Sequence, residues 1–551
     1  MKVNTDITFY LLTKKYSLIK INAIYIMKKT LIYLISFIFL SLQAQNQIWQ
    51  RKAGGSYSDF LYDGISTLDY GFILAGAGIS VDNNSTGKGN YDYLLAKYNE
   101  DGDKQWQKSF GGNRHDYLKQ ITLGIDGGYL LTGNSNSDVS GIKTPANIGG
   151  FDIWLLKLDI NGNPDWQKAL GGLADDQVNH VIRSNDGGFL IGGSSASEEI
   201  IPSGSRLSSP DLILKEGENY GNLDYWIVKL SAQGKLQWQK SFGGKYKDIL
   251  KQVLELPNGN IILAGNSNSP VSGNKNITGK GKNDWWLIKI NEQGDVLWQK
   301  NFGDEADDKL STMILTKDNN ILLGGNYTYF DNKSKQNKAN IILRKIDTNG
   351  NLIWKETYDN GADDYLTNIL QNFDGTLILG AYSTTHASNI KNKIQGKGKD
   401  DFLIIKTDNK GNELWRRHLG THKKEILKKI IGTRDGGYVL MGSSMTHGKG
   451  DSNADYLMIK IADKDKPLHK KLALEAIPNP AVYYTQAVIG KDYEKGILRV
   501  FDLNGRELYY TELNGNRIVP LPVAGYPDGI YIINVTVDDE ATNSVKVLKG
   551  R

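Results

Sequence analysis

The side chains able to do chemistry in this 551-residue chain are scattered rather than clustered. Seven histidines stand at 115, 180, 386, 418, 422, 447 and 469 without an HExxH pair. No GxSxG serine occurs, and the absence of cysteine removes thiol nucleophiles and thiolate metal sites. On this basis no catalytic residue, metal ligand or cofactor is assigned. Asp307, Asp308, Asp363 and Asp364 form two adjacent pairs, the groups a hydrolase or lyase would need for acid and base work on a glycosidic bond. The other concentrated chemistry is cationic. Gly-Lys-Gly segments carry Lys88, Lys280 with Lys282, Lys397 with Lys399, and Lys449. Their ammonium groups suit a carboxylated or sulfated glycan or an acidic protein surface; the alternative is a solvated loop whose glycines serve the turn.

These segments belong to a repeat. A Trp unit recurs seven times, at Trp49, Trp106, Trp166, Trp238, Trp298, Trp354 and Trp415, as in QWQKSFGG. An acid follows each Trp by 10 residues, an apolar run such as GFILAG begins 12 residues later, and a DYLLAK-like segment ends in a Lys that stands 9 residues before the next Trp. Only the stretch between the apolar run and DYLLAK varies, from 13 residues (442 to 455) to 31 (193 to 224). Four strand-length segments per repeat, rich in Ile, Leu, Val, Tyr and Trp, predict an all-β fold of propeller blades. We call them A (from the acid), B (the apolar run), C (DYLLAK) and D (the Trp strand). B should be buried on both faces, and the C-to-D connection should be a hairpin with Gly at positive φ.

The chain enters the repeat with a lone D strand at Trp49 and leaves it at Ile461 with A, B and C alone. The expected fold over 45–461 is therefore a seven-bladed β-propeller closed by the N-terminal strand. If its indole is buried between blades, Trp238→Ala should cost about 3–5 kcal/mol. The Lys of each C strand and the acid opening each A strand read as repeated structural pairs. The B-to-C loops and D-to-A crossings emerge on one face, where one-sided length variation builds binding surfaces. The longest loop, 194–223, with Arg206 and Tyr220, is the best candidate for a partner-specific insertion.

Residues 27–44, MKKTLIYLISFIFLSLQA, have the layout of a signal peptide: two lysines, an apolar run from Leu31 to Leu42, then Ala44. The run is short for a transmembrane span. Met27 is the better start, and 1–26 reads as a mis-called upstream extension. Residues 1–44 hold six of the 66 basic and one of the 61 acidic residues, leaving 60 of each for 45–551. The net charge of +5 therefore carries no argument for nucleic acid. The mature chain is expected to be exported without a transmembrane span.

Beyond a mixed-charge linker at 462–472, residues 473–551 should form a small β-sandwich. IPNPA (477–481), LRVFDLNGREL (498–508), PDGIYIINV (527–535) and the basic end VKVLKGR closely resemble the type A sorting domain of the type IX secretion system of Bacteroidetes. The matching residues are Asn479, Pro480, Gly505, Gly529 and Tyr531. The resemblance implies passage through the periplasm, recognition by the type IX machinery, removal of the domain, and display on the outer surface or release.

Two weaker resemblances concern single turns. Ser184 to Gly188 is similar to the Asp-box of sialidases without its closing Trp, and LDINGNPDWQKALGG resembles the blade motif of quinoprotein dehydrogenases, where the Trp is structural. Asn99 to Asp103 could supply half a calcium loop. The repeat favours turn chemistry for all three. The functional expectation is a secreted or surface-displayed propeller that binds a glycan or protein through its B-to-C loop face; the alternative is a carbohydrate-active hydrolase or lyase using channel-mouth carboxylates.

Overall fold

Strands B and C are apolar at nearly every position, so neither of their faces can be left in water. In the computed structural model every residue of Phe72–Gly78, Asp92–Tyr98, Asp152–Leu158 and Asp284–Ile290 is buried. The structure describes residues 47–53, 60–79, 91–199, 205–332, 335–361, 363–384, 400–421, 423–445, 454–463, 465, 469 and 471–550. The leader and the upstream extension lie outside them. The described residues form 36 strands and one 3-10 turn, Ser205–Ser208. Among them no helix is long and apolar enough to cross a membrane.

The described chain from Gln47 to Ile461 is a propeller-like array of antiparallel units in the order A-B-C-D, the last two of which are joined by a single parallel bridge, Asp400 with Lys424. Unit 2 is representative: Asp116–Leu123, Tyr129–Ser135, Asp152–Leu158 and Pro164–Gly171. The A strands of the six units with complete A-B-C-D sets are Phe60–Ser66, Asp116–Leu123, Asp176–Arg183, Asp248–Glu255, Asp307–Leu315 and Asp363–Gln371. A further A-B-C set, Lys424–Gly432, Tyr438–Met445 and Ala454–Ile461, has Gln47–Ala53 paired antiparallel on its outer strand. Each A strand contacts the A strands of the units before and after it, and Lys424–Gly432 contacts Phe60–Ser66.

Packing is between units. One cluster joins Ile73 and Leu95 of unit 1 to Leu131 and Trp154 of unit 2, and another joins Leu61 and Phe72 to Val439, Met441 and Met458. Each fully buried Leu or Ile contributes about 1.5–3 kcal/mol. Of the repeated Trp only Trp49 sits inside these cores; Trp166, Trp238, Trp298, Trp354 and Trp415 pack against their edges. Trp106 is exposed, five of the others are half-buried, and only Trp49 is buried. The indole lies at the rim, on the hairpin glycine of the next unit: Trp49 against Gly102, Trp166 against Gly234, Trp298 against Gly350, Trp354 against Gly411. These glycines have φ of 74° to 88°, which the turn requires, and a Cβ there would lie 3.0 to 3.4 Å from the ring. The buried indoles belong to C strands: Trp154, Trp226, Trp285 and Trp286. Three of them donate to the Gln of the next WQK segment, at 3.1 Å (Gln167), 2.9 Å (Gln239) and 3.2 Å (Gln299).

The paired Lys and acid are also redistributed. The C-strand Lys reaches the Asp of its own A-to-B turn, as in Lys97–Asp69 (2.8 Å), Lys157–Asp126 (2.6 Å), Lys229–Asp186 (2.6 Å) and Lys460–Asp435 (2.6 Å). The A-strand acid works at the opposite end of the unit. There it accepts the backbone N–H of the preceding crossing, from Gly112 to Asp116 at 2.7 Å and from Gly172 to Asp176 at 2.6 Å. In unit 6 the A-to-B turn gives Lys406 no Asp partner, and it takes Asp463 and Asp465 from the 462–472 segment. That segment is thus tied to the array at several points and is not a free linker.

Each A strand carries a β-bulge at the same place, leaving Tyr62, Lys119, Asn179, Lys251, Ser311, Thr367 and Lys428 as the extra residue. The residue after the bulge ties neighbouring units: Gln120 exchanges bonds with Val181 (2.8 and 2.6 Å), Asn368 with Ile430 (3.0 and 2.9 Å), and Lys429 pairs with Asp63 at 2.7 Å.

Residues 474–549 form the expected sandwich, a three-stranded sheet facing a four-stranded one across a single core that includes Leu498, Val519 and Ile533. Asn479 brackets the last strand, donating to the Lys546 carbonyl (2.8 Å) and accepting from Leu548 N–H (2.9 Å). Gly505 turns the DLNG hairpin at φ 81°. Gly529 opens its strand, and Tyr531 is buried with its hydroxyl on the Pro527 carbonyl.

These burials rank two tryptophan substitutions. Trp286→Ala, at 0% exposure, should cost about 3–5 kcal/mol, whereas Trp238→Ala, half-buried at the rim, should cost about 1–2 kcal/mol. Chemical denaturation of the two variants reads the difference directly, and equal losses would contradict the rim placement.

Candidate functional site

The B-to-C loops and D-to-A crossings share one face and are laced together. Asn113, Arg114 and His115 of the first crossing donate N–H to Ser140 Oγ (2.9 Å), Ser137 Oγ (2.9 Å) and Asn136 Oδ1 (3.0 Å) of the neighbouring loop. Beneath each crossing two acids from adjacent units approach one another, as Asp92 does Asp116 and Asp152 does Asp176. The first Gly of the WQKSFGG segment has no Cβ because the C-strand acid fills that space; at Gly111 a Cβ would lie 2.0 Å from Asp92 Oδ1. Buried lysines stand among these acids: Lys143 donates to the Ser137 carbonyl (2.6 Å) and Lys275 to the Ser269 carbonyl (2.7 Å). Burial, reinforced by the facing acid, pushes Asp92, Asp152 and Asp224 up to about 7, and burial does the same to Asp364. Burial pulls Lys143 down to about 8. The recurrence of this plug from unit to unit marks it as scaffold.

What breaks the repeat is aromatic. At the mouth of units 1 and 2, Phe60, Tyr91, His115, Tyr117 and Phe151 form a continuous arc. Ring centroids are 5.5 Å apart for Phe60–Tyr91, 5.7 Å for Tyr91–His115 and for His115–Tyr117, and 6.0 Å for Tyr117–Phe151. Phe60 is exposed and the other four are half-buried. Each sits at the loop-side end of an A strand, a crossing or a B-to-C loop. The position after the A-strand acid is Phe60, Tyr117 and Tyr365 in three units but Gln177, Ile249, Lys309 and Ile426 in the others. That departure from the repeat was the available signal. A row of half-exposed rings beside backbone polar groups is suited to stacking sugar faces or a partner's apolar side chains.

The residues singled out from sequence fare differently. Lys88, Lys397, Lys399 and Lys449 lie outside the described residues. Lys280 and Lys282 are exposed on the loop face, with their backbone N–H groups held by Asp284 (2.6 Å) and the Ala306 carbonyl (3.2 Å). The 194–223 loop is largely structural. Leu212–Leu214 adds a parallel strand to Pro164–Gly171, Leu212 and Ile213 are buried, and Lys215 is 1% exposed. It covers a sheet edge that would otherwise be open. Arg206 is in the 3-10 turn, and Tyr220 is half-buried with its N–H on Asp224. Among the candidate carboxylates, Asp308 and Asp364 are buried clasps (0% and 1% exposed). Asp307 is held by Asn283 (2.6 Å) and Lys309 (2.9 Å), and Asp363 accepts the Ala339 N–H at 3.0 Å. The supposed calcium half-loop is a turn: Asn99 Oδ1 accepts from the backbone of Asp101 and Asp103, as Asp159 does in unit 2. Asp186 accepts the Gly188 N–H, in keeping with turn chemistry. His180 accepts the Val253 N–H at 3.2 Å, and burial first, then the charge of Lys429, draws it down to about 4.

No family model matches the chain. The regulatory protein FlaEY of Caulobacter vibrioides is 23% identical over 222 residues, which are 39% of this chain and 22% of that protein, so the chain spans about a fifth of its length. Among solved structures, a polysaccharide lyase described as an ulvan lyase is 10% identical over 74% of this chain and 95% of its own, with a TM-score of 0.43. A gluconolactonase from Xanthomonas campestris is 9% identical over 75% of this chain and 98% of its own, with a TM-score of 0.31.

The acid pairs fix an unusual pH response. A carboxyl raised from 3.8 to about 7 contributes stability that is complete below 3.8 and gone above about 7. His180 and His418, lowered to about 4, act oppositely between 6.5 and 4, but they are two against four. The melting temperature should therefore rise as pH falls from 7.5 to 5. Asp152→Asn should flatten that slope, and an unchanged slope in this variant would refute the assignment.

Proposed function

We propose that the chain is a seven-bladed β-propeller closed by its N-terminal strand, exported through the type IX secretion system by its C-terminal sorting domain, residues 473–551. At the cell surface or in the medium it binds a glycan or protein through the B-to-C loop face. The aromatic arc from Phe60 to Phe151 on that face carries the binding reading. The closed ring is supported by the pairing of Gln47–Ala53 with Ala454–Ile461, and by Trp49 resting on Gly102 just as Trp166 rests on Gly234. Of the 36 strands, seven belong to the sandwich and Leu212–Leu214 is an edge addition, which leaves four for each of seven blades.

The sandwich sits on the opposite face, among the A-to-B turns and C-to-D hairpins. Arg517 there meets Glu100 at 3.0 Å, and Glu475 meets Arg434 at 2.9 Å and the Tyr70 hydroxyl at 3.1 Å. The loop face is therefore left uncovered while the sorting domain is still attached. Sorting residues Asn479 and Tyr531 serve the sandwich's own folding, which is what a separately recognised module requires.

Two experiments test the reading. On a glycan and surface-protein array, Tyr117→Ala with Phe151→Ala should weaken any captured ligand by about tenfold or more. Replacing 205–219 by a short turn should cost stability and leave binding in place. In a type IX-competent host, deleting 473–551 should hold the protein in the periplasm; finding the truncated chain at the cell surface would reject the export route.

A further inference from the structure

The bulge in each A strand turns one extra residue out of the ladder at the innermost edge of its unit, where the one further pairing is a single parallel bridge, Asp400 with Lys424, at the loop-side end of Lys424–Gly432. Around the ring these seven residues include three lysines and no carboxylate. Asn179 and Thr367 fold back onto their own units, bonding Ser194 Oγ (2.9 Å) and the Gly380 carbonyl (2.8 Å). The lysines do not. Lys119 places its ammonium 3.7 Å from the Tyr62 ring centroid and 5.7 Å from that of Tyr117, the middle of the aromatic arc. Lys428, on the other side of unit 1, is close enough for its charge to act on Lys119. Among the described residues neither ammonium has a hydrogen bond or ion pair with a protein group. The nearby Asp63 is already taken, by Lys429 at 2.7 Å and by the Ile121 N–H at 3.2 Å.

Two like charges on the A strands that flank that of Tyr62, without a counter-ion among the described residues, cost stability while they stand alone. Burial, then the charge of Lys428, draws Lys119 down to about 8, and burial lowers Lys428 as well. An arrangement that costs stability and is not repeated in every blade is the mark of a site rather than of the scaffold.

We propose that Lys119 and Lys428, flanking Tyr62, receive the carboxylate or sulfate of an acidic glycan whose sugar rings lie on the Tyr91–Tyr117–Phe151 arc. The inference rests on the loop-face binding reading and narrows its ligand to one class. The described loop lysines, Lys280 and Lys282, stand in another sector, beside Asp307, and are not needed for this contact.

The test is calorimetric titration of the purified full chain with an oligogalacturonate, a heparin-derived oligosaccharide and a neutral cello-oligosaccharide. At least one acidic probe should bind and the neutral one should bind weakly; the carboxylate and sulfate arms identify which anion is preferred. Lys119→Met with Lys428→Met should reduce acidic binding by about a hundredfold, about tenfold for each charge. The melting temperature of that variant should be equal to or above the wild type, which a structural role for the lysines would not give. Lys119→Arg with Lys428→Arg should retain binding. Equal affinity in the Met variant, or a preference for the neutral probe, overturns the inference. If the neutral probe binds and Tyr117→Ala removes it, the loop-face reading survives alone. If no probe binds and no array ligand depends on the arc, both fall.

Discussion

The described part of the repeat array follows from one constraint: strands B and C are apolar on both faces, so a unit on its own would leave one face in water. Two neighbours per unit satisfy this for every member of a ring and fail at both ends of an open array. The cluster that joins Leu61 and Phe72 to Val439, Met441 and Met458 has the composition of the other inter-unit clusters. The outer strand Gln47–Ala53 adds a sheet edge there with no new kind of contact. Stability without disulfides is then a matter of apolar packing between units, fastened by the Gln120, Asn368 and Lys429 bridges.

The same repetition decides how much could be read beforehand. Fixed spacings from Trp to acid and from acid to apolar run set the strands and their order within a unit, and they also gave the glycine hairpins with positive φ. They misled about burial. WQK looks like a core signature because its Trp is invariant from unit to unit. Yet the D strand is the outermost of each unit, so its indole caps a rim while the Gln beside it reaches inward to the buried Trp of strand C. Which end of a unit a charge serves was equally hidden. Strand spacing cannot tell the A-to-B turn Asp from the A-strand acid as the partner of a C-strand Lys, because both lie within one hairpin of it.

The candidate site was legible only as a departure from the repeat, and its decisive geometry was not legible at all. An aromatic after the A-strand acid in three units can be seen in the sequence; that the rings of units 1 and 2 form one arc depends on how crossing and loop are laced. The lysines depend on a bulge, one residue inserted without any turn signal, which converts an ordinary strand position into one that looks into the ring. Conversely the Gly-Lys-Gly loops and the 194–223 insertion drew attention because they vary. Variation alone does not separate a ligand contact from a patch over an open sheet edge, and Leu212 and Ile213 are such a patch.

The C-terminal sandwich is joined to the array in a different way from the units to one another. Its ion pairs with the array are Arg517 with Glu100 and Glu475 with Arg434, and Lys471, just ahead of the sandwich, also meets Glu100. Between the two bodies lies a cavity of about 1310 Å³, bordered by Trp106, Ile125, Arg183, Tyr483 and Tyr484. Among the described residues no buried apolar cluster spans the two, since the sandwich closes its own around Leu498 and Ile533. An interface of ion pairs around open space can part without uncovering either hydrophobic core, and water replaces its contacts at low cost. Glu100 also anchors Gln47–Ala53, since the Trp49 indole donates to its carbonyl at 2.9 Å, a contact that involves no sandwich residue.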